Sequence, residues 1–412
     1  MRLIILLFLL VGIDYYAFQA VKISGVAWPK SFQLVFNALY IFSSVYAYFY
    51  IISSATNLVD WRVTKAGQYL RALVFIIFAS KFVISLFLGV DDLRRAITWI
   101  VNQFSSPKDF SLSRSRFLSQ LGVLAGAIPM ISLTYGMWRN PYRYQIHNHR
   151  VGINNLAKGL TGFRIVQISD IHSGTFTSKE PLKNAIRIIN DLKADIVLFT
   201  GDMVNNVAQE MKPYMDVFSG IEAKYGVYSV LGNHDYGDYH QWRSLEEKQA
   251  NFRELIDIHD KLGWDLLRNE HRMLAVEAHK VAVIGVENSS ASPRFQNYGD
   301  LKKAYQGTEE ADLKLLLSHD PSHWDAEVQS FEDIALTFSG HTHGFQFGIE
   351  IPGWLKWSPS KYVYKQWAGL YTTGTQHLYV NRGFGMLGYP GRVGILPEIT
   401  CIDLYDKVSD TI

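Results

Sequence analysis

The chain has 412 residues, with 40 basic and 38 acidic side chains and a formal net charge of +2. This near balance gives no electrostatic support for a nucleic-acid partner, so we predict none. The one cysteine, Cys401, excludes an internal disulfide framework and a cysteine-rich metal site. Any metal ion must therefore bind through histidine and oxygen ligands.

The first part of the chain is strongly apolar. Four long apolar stretches occupy residues 3–21, 32–56, 70–90 and 117–138. Each has about the 20 residues that a helix needs to cross a bilayer core. Core helices of a soluble domain would show a clearer polar face, and a signal peptide would be followed by a small-residue cleavage site. We therefore predict an all-α, four-helix transmembrane region over residues 1–138.

Two charged residues, Asp14 and Lys81, lie within these stretches. A charge inside a membrane is costly, so each should be hidden in the helix bundle or paired. The two side chains pair with each other, or Asp14 reaches toward the membrane interface. The sequence alone leaves both interpretations open.

Two features bear on the orientation of the membrane region. Residues 111–130 resemble a twin-arginine export signal, although Ser115 separates Arg114 from Arg116. The loops at 22–31 and 91–116 hold seven Lys and Arg residues, whereas the N-terminus and the loop at 60–71 hold four. Because positive loops stay in the cytoplasm, both features favour a C-terminal domain outside the cytoplasm.

From residue 139 the composition becomes that of a globular domain. A polar linker at 139–160 is expected to precede a domain over 161–412. Leu182, Ile186 and Ile189 show helical spacing. This helix and its neighbouring strands predict an α/β domain. The predicted strands are seven short runs at 164–169, 195–200, 226–232, 281–286, 313–318, 333–339 and 376–381.

Five of these runs end in polar motifs: "SDIH", "TGD", "LGNHD", "SHDP" and "SGHTHG". Ligands bind at the carboxyl ends of strands in α/β sheets, so these loops should converge on one site. Seven nitrogen and oxygen ligands exceed the needs of one ion and suggest two divalent ions bridged by Asp202, which would activate a hydroxide to attack phosphorus. The candidate metal ligands are Asp170, His172, Asp202, Asn233, His319, His341 and His343.

The order of these motifs resembles the calcineurin-like metallophosphoesterase superfamily over about residues 160–403. Together with "LYVNRGFG" and "LPEI", it is similar to a bacterial membrane-associated branch of that family. The resemblance implies a double β-sheet sandwich flanked by helices, in a protein of the bacterial inner or plasma membrane. It also implies one ion held by Asp170, His172, Asp202 and His343, a second held by Asp202, Asn233, His319 and His341, and His234 as the general acid.

The sequence departs from the family pattern at two positions. Asn205 stands where the family usually has an aspartate that orients His234. An amide brings no charge, so we expect a less basic His234 and slower turnover of poor leaving groups, unless Asp235 substitutes. Phe345 stands where relatives often have glycine, which suggests a bulky or lipidic substrate.

These features predict a membrane-anchored phosphoesterase that hydrolyses a phosphomonoester or phosphodiester by metal-bound hydroxide, including a phospholipid or lipid-linked phosphate. The aromatic stretch at 351–367 suits a membrane-surface substrate, or simply seats the domain on the bilayer. The alternative is a non-catalytic membrane sensor or transporter partner that binds metal and phosphate. The ions could be Mn, Fe, Zn, Co or Ni. Arg382 and Arg392 either approach a phosphate or form surface salt bridges.

Overall fold

The computed structural model of the chain describes residues 2–56, 64–104, 112–351 and 353–407. The chain divides into two compact units. One comprises Met1–Trp138 with Gly388–Pro390, and the other comprises Arg139–Leu387 with Gly391–Ile412.

The N-terminal unit consists of long helices. All four are long and apolar enough to cross a membrane, which confirms the predicted four-helix region. Large side chains such as Phe8, Phe42 and Leu124 are exposed on their surfaces, as expected for helices that face lipid. The helices are α1 (Arg2–Gly25), α2 (Lys30–Ala55), α3 (Lys65–Asn102) and α4 (Leu112–Arg139).

A polar cluster joins three of these helices. Asp14 on α1 and Lys81 on α3 form an ion pair, with 2.8 Å between Oδ1 and Nζ. The Ser44 hydroxyl on α2 donates to Asp14 Oδ1 at 2.9 Å and accepts from Lys81 Nζ at 2.7 Å. The Lys81 ammonium also lies 4.3 Å from the centre of the Tyr40 ring. The structure therefore supports pairing rather than an Asp14 side chain that reaches for the interface.

The C-terminal unit contains two six-stranded mixed sheets and a short ribbon. The first sheet has the order β1-β14-β2-β3-β4-β5, and the second β12-β13-β9-β8-β7-β6. The strands of the first sheet are β1 (Gln145–Ile153), β2 (Arg164–Ile168), β3 (Ile196–Phe199), β4 (Val227–Ser229), β5 (Trp264–Leu266) and β14 (Glu398–Asp406). Those of the second are β6 (Glu270–Val276), β7 (His279–Gly285), β8 (Leu313–Leu317), β9 (Leu336–Ser339), β12 (Gly369–Thr373) and β13 (Gln376–Val380). The ribbon pairs β10 (Ile349–Ile351) with β11 (Leu355–Trp357).

The hydrophobic core is arranged in layers. Ile165 and Leu198 of the first sheet pack in one cluster with Val283 and Leu315 of the second, so the two sheets face each other. Helices cover the outer face of each sheet. This confirms the predicted double-sheet sandwich flanked by helices. The helices are α5 (Glu180–Asp191), α6 (Met215–Phe218), α7 (Leu245–Lys261), α8 (Leu301–Tyr305) and α9 (Ser322–Ala326).

All seven predicted runs form strands, and the helix predicted from Leu182, Ile186 and Ile189 is α5. The expected linker at 139–160 is wrong over Gln145–Ile153, because these residues form β1. The outer half of β1 is polar and only partly buried, so it lacks the apolar pattern of a core strand. Strand β1 is held instead by parallel pairing with β14, the last strand of the domain in the sequence.

We predict that reversing either charge of the Asp14–Lys81 pair reduces the yield of folded protein. A lone charge left in a buried site costs about 3–5 kcal/mol. Asp14→Lys and Lys81→Asp should each lower the monodisperse peak in detergent size-exclusion chromatography, and the double swap should restore most of it. Arg95→Asp is the control, because both side chains of the Asp92–Arg95 pair are more than half exposed. A double swap no better than either single reversal would contradict the pairing.

Candidate metal centre

The predicted ligands follow the carboxyl ends of strands in both sheets. Asp170 follows β2, Asp202 follows β3 and Asn233 follows β4, which are neighbouring parallel strands of the first sheet. His319 follows β8 and His341 follows β9 in the second sheet. Because the sheets pack face to face, these loops meet at one edge of the sandwich.

The backbone at this edge is strained. Five candidate ligands have left-handed backbone conformations, with φ between 44° and 69°; they are Asp170, His172, Asp202, His341 and His343. Residues other than glycine rarely adopt this region, and each such residue costs about 1–3 kcal/mol. A cluster of strained residues at one place is typical of a site built for function rather than for stability.

The first candidate group comprises Asp170, His172 and His343, whose ligand atoms all lie within 4.8 Å of one another. His343 Nε2 is 3.2 Å from Asp170 Oδ1 and 3.0 Å from His172 Nε2. All three residues are buried. These nitrogen and oxygen atoms therefore converge on a space of the size that one ion needs.

The second candidate group comprises Asp202, His319 and His341, which also converge within 4.8 Å. His319 Nε2 is 3.2 Å from Asp202 Oδ2 and 3.3 Å from His341 Nδ1. Asp202 Oδ2 also lies 3.5 Å from His172 Nε2, in the first group. The Asp202 carboxylate thus lies between the two groups.

Asn233, the remaining predicted ligand, has an unpaired side-chain oxygen. Its Nδ2 donates to the Tyr239 hydroxyl at 2.9 Å, whereas its buried Oδ1 has no hydrogen-bond partner. Leaving a buried acceptor unpaired is costly, so an oxygen in this position suits a cation. A donor set of imidazole, carboxylate and carboxamide groups is appropriate for divalent transition metals.

The electrostatics also fit bound cations. Within the described residues, Asp170 and Asp202 are fully buried yet form salt bridges only with histidines. Although burial opposes it, the neighbouring His319 and His234 hold the pKa of Asp202 well below its usual range. Burial alone would lower the pKa of His319, but the Asp202 carboxylate raises it to about 10. Two divalent ions would supply the positive charge that these carboxylates require.

Two glycines of the motifs permit close packing at the carboxylates. A Cβ atom on Gly232 would collide with the carboxylate of Asp202, and one on Gly340 would collide with Asp170 and Ser169. The glycines of "LGNHD" and "SGHTHG" are therefore needed for the loops to approach the ligands.

His234, the predicted general acid, is held by the backbone. In the tautomer that satisfies its contacts, the ring Nδ1 of His234 donates to the main-chain carbonyl of Asn205 at 2.6 Å. The main-chain N–H of His234 donates to Asp202 Oδ1 at 2.8 Å. A main-chain carbonyl, which any residue at position 205 provides, makes this contact in place of the side chain. The Asn205 Oδ1 atom is buried and without a hydrogen-bond partner.

Asp235 does not substitute for the missing aspartate. Its carboxylate accepts hydrogen bonds from the backbone N–H groups of Asp202, Met203 and Gly232 at 2.8–2.9 Å. Burial, reinforced by the charge of Asp202, raises the pKa of Asp235 to about 7. Asp235 thus fixes the two ligand loops to each other and does not hold His234.

Sequence reasoning missed Glu210. The peptide group between Asn205 and Asn206 accepts from His234 at its carbonyl, and its N–H donates to Glu210 Oε2 at 3.3 Å. The Asn205 N–H donates to the same oxygen at 2.6 Å. A carboxylate on the far side of this peptide polarises the carbonyl that holds His234. No spacing rule connects Glu210 to the motifs, so the sequence carries no signal for it.

Aromatic side chains contact His341 of the second group and the neighbouring His234. The Tyr364 hydroxyl lies 2.7 Å from His341 Nε2, and the Phe295 ring meets the His341 ring edge-on at 4.8 Å. The ring of Tyr239 lies 4.3 Å from that of His234. These contacts fix the orientation of the imidazole rings, as hydrogen-bond and packing partners of metal-binding histidines do.

Both arginines considered for phosphate contact are used inside the domain. Arg382 is buried and pairs with Glu350 and Glu398, each at 2.6 Å. Arg392 is fully buried and donates to main-chain carbonyls, including that of Arg382 at 2.7 Å. The surface salt bridges expected for them are therefore not what the structure contains.

Comparisons with known proteins agree with this geometry. A family model described as "Calcineurin-like phosphoesterase" matches residues 163–345, and one described as "Probable Calcineurin-like phosphoesterase, transmembrane domain" matches residues 1–141. The chain is 30% identical over 301 residues to the uncharacterized metallophosphoesterase YkuE of Bacillus subtilis, covering 71% of this chain and 98% of the relative.

Two further relatives are a transmembrane protein with metallophosphoesterase domain of Danio rerio and the phosphodiesterase YaeI of Escherichia coli. The first is 27% identical over 291 residues, covering 68% of this chain and 62% of the relative. The second is 26% identical over 298 residues, covering 71% of this chain and 99% of the relative.

We predict that the full chain, stripped by chelation and dialysed against manganese, binds two ions, one for each ligand group. Asp202→Asn should lose at least one, because it weakens the oxygen between the groups. Asp238→Asn is the matched control, since this aspartate pairs with Lys248. Inductively coupled plasma mass spectrometry of the detergent-purified variants measures the number of manganese ions per chain. Two ions retained by Asp202→Asn would contradict the bridging position.

Proposed function

Because the chain belongs to the calcineurin-like metallophosphoesterases, we propose that it hydrolyses a phosphomonoester or phosphodiester at a membrane with two divalent metal ions. The four apolar helices and the matching transmembrane family model make it an integral membrane protein. The observation that carries the proposal is Asp202 Oδ2, which lies 3.2 Å from a histidine of one ligand group and 3.5 Å from one of the other.

Each ion would have its own ligand set. Asp170, His172 and His343 would hold the first, and His319, His341 and Asn233 the second, with Asp202 shared. When bound, such ions lower the pKa of a water molecule and neutralise charge on the phosphoryl group.

The protein's own contribution to bond cleavage is proton delivery by His234. The Asn205 carbonyl accepts from Nδ1, which leaves Nε2 available to the substrate. In the imidazolium form, His234 would pass its Nε2 proton to the departing oxygen and keep its Nδ1 proton. Glu210 strengthens the hydrogen bond at Nδ1 through the intervening peptide. The ring cannot swing freely, because it is packed against Tyr239 and His172.

We favour a phospholipid or lipid-linked phosphate as the substrate. Phe345, two residues after His343, is about half exposed beside the site. A metal centre recognises only the phosphoryl group, so an apolar side chain at its border selects for an apolar substituent. The Escherichia coli relative is named a phosphodiesterase, which supports cleavage of a phosphate ester.

The sensor alternative loses one of its two supports, which were Asn205 and the large membrane region. The main-chain carbonyl at position 205 holds His234 regardless of the side chain. A protein that only binds phosphate has no need for an oriented proton donor. The positive charge of the loops at 22–31 and 91–116 remains our reason to propose an extracytoplasmic catalytic domain, in a bacterial inner or plasma membrane.

We predict that the full chain, stripped and then reloaded with manganese in detergent, hydrolyses bis-p-nitrophenyl phosphate. Asp202→Asn should abolish turnover, and His234→Ala should lower kcat about a hundredfold or more, in line with the usual contribution of a general acid. Asp238→Asn serves as the control. Release of p-nitrophenol measures the rate. No turnover by protein with two bound ions would instead favour the sensor.

A second prediction concerns Asn205 and Glu210. Asn205→Asp should leave kcat nearly unchanged, because the main-chain carbonyl makes the contact with His234. Glu210→Gln should slow turnover about tenfold, with a larger loss for an alkyl than for a p-nitrophenyl leaving group, because the poorer leaving group depends more on the acid. A faster Asn205→Asp enzyme would show that the side chain matters after all.

A further inference from the structure

The ribbon of β10 and β11 has inverted polarity. Its charged residues turn toward the domain: Glu350 binds Arg382 at 2.6 Å, and Lys356 Nζ donates to the Ala368 carbonyl. Its apolar residues turn outward, and Ile349 and Ile351 are 48% and 43% exposed. Alternation along a strand normally places apolar side chains against the core. Here the fold exposes the apolar face instead.

The exposed apolar surface extends beyond the ribbon. Trp354, at the turn between β10 and β11, is 79% exposed. Phe347 precedes the ribbon and meets Trp357 edge-on, with 6.5 Å between ring centres. The Trp357 indole N–H in turn lies 3.4 Å from the Tyr362 hydroxyl. We call this surface, formed by the described residues 345–351 and 353–363, the apolar ribbon surface. Contiguous exposed apolar surface of this kind marks an interaction site.

This surface borders the metal centre on two sides. Phe345 lies two residues after His343, and Tyr362 and Val363 directly precede Tyr364, whose hydroxyl contacts His341 Nε2 at 2.7 Å. Ser358 ties the two segments together by donating to the Gly344 carbonyl at 2.6 Å. Whatever covers the apolar ribbon surface therefore lies next to both histidines of the "GHTHG" motif.

The chain itself indicates a lipid bilayer as the occupant. Only residues 140–144 separate α4 from β1. Five residues span at most about 18 Å, so β1 begins within that distance of the end of a helix long and apolar enough to cross a membrane. Tryptophan, tyrosine and phenylalanine are the side chains that settle at the membrane interface. Lys361, beside the Tyr362 ring, adds the positive charge that anionic headgroups attract.

We propose that the apolar ribbon surface inserts into the interfacial layer of the bilayer and holds the metal centre at the level of the lipid headgroups. Docking stands on the exposed surface and the short tether. Its consequence, access to a membrane-borne phosphate ester, rests on the proposed function.

The docking test is simplified because the chain has one cysteine, the buried Cys401, which can be removed so that a probe labels only an introduced cysteine. In a Cys401→Ala background, Trp354→Cys is labelled with an environment-sensitive nitrobenzoxadiazole probe. The full chain is placed, one per disc, in nanodiscs of three parts phosphatidylcholine to one part phosphatidylglycerol, with or without doxyl-labelled lipid. Leu245→Cys, 64% exposed at the start of α7, is the matched control. We expect the doxyl lipid to quench at least half of the signal at position 354 and little at 245.

A second variant tests whether the apolar side chains cause docking. With the probe at Tyr362→Cys, the substitutions Ile349→Ser and Ile351→Ser should at least halve the quenching, while bis-p-nitrophenyl phosphate turnover in detergent stays unchanged. Equal quenching at positions 354 and 245, or none at 354, would overturn the inference, whether a second copy or water covers the surface. Quenching as expected in a protein that hydrolyses no phosphate ester would retain docking and reject the proposed function.

Discussion

The domain depends on the burial of the Asp202 carboxylate between two groups of histidines. Its Oδ1 accepts the N–H of His234, and its Oδ2 faces His172 and His319. A buried carboxylate is tolerated only when surrounding charge and hydrogen bonds replace its hydration. Histidines and metal ions can do this at one point, provided that both sheets deliver their loops to it. The sandwich of two sheets is the arrangement that does so.

Bringing the loops to this point forces parts of the backbone into conformations that destabilise the fold. Five ligands adopt left-handed conformations, and two glycines are needed where the loops touch the carboxylates. Strain of this kind persists only if the surrounding structure determines it, and the fully buried strands β3 and β8 supply that support. Asp235 adds to it by binding backbone N–H groups of both neighbouring loops. The core thus stabilises a site that is unfavourable by itself.

The two units treat polarity in opposite ways, for one physical reason. The helical unit buries its charges, Asp14 and Lys81, and exposes apolar side chains, because lipid cannot solvate charge. The C-terminal unit keeps an apolar core, yet at the ribbon of β10 and β11 it exposes apolar side chains and turns charged ones inward. The ribbon thus exposes apolar side chains as a protein in lipid does, whereas the rest of the domain buries them as a protein in water does.

The sequence by itself determined the four apolar helices, seven of the strands and six of the seven candidate ligands, which converge in two groups. These features depend on local periodicity and on strand ends, which a chain displays without its partners. Only the tertiary structure decided that β1 pairs with β14, that Asp14 meets Lys81, and that the carbonyl of Asn205 holds His234. Each depends on which atom of a distant residue faces which neighbour. Residue type and spacing do not encode this information, because packing of the whole chain selects among the contacts each residue is able to make.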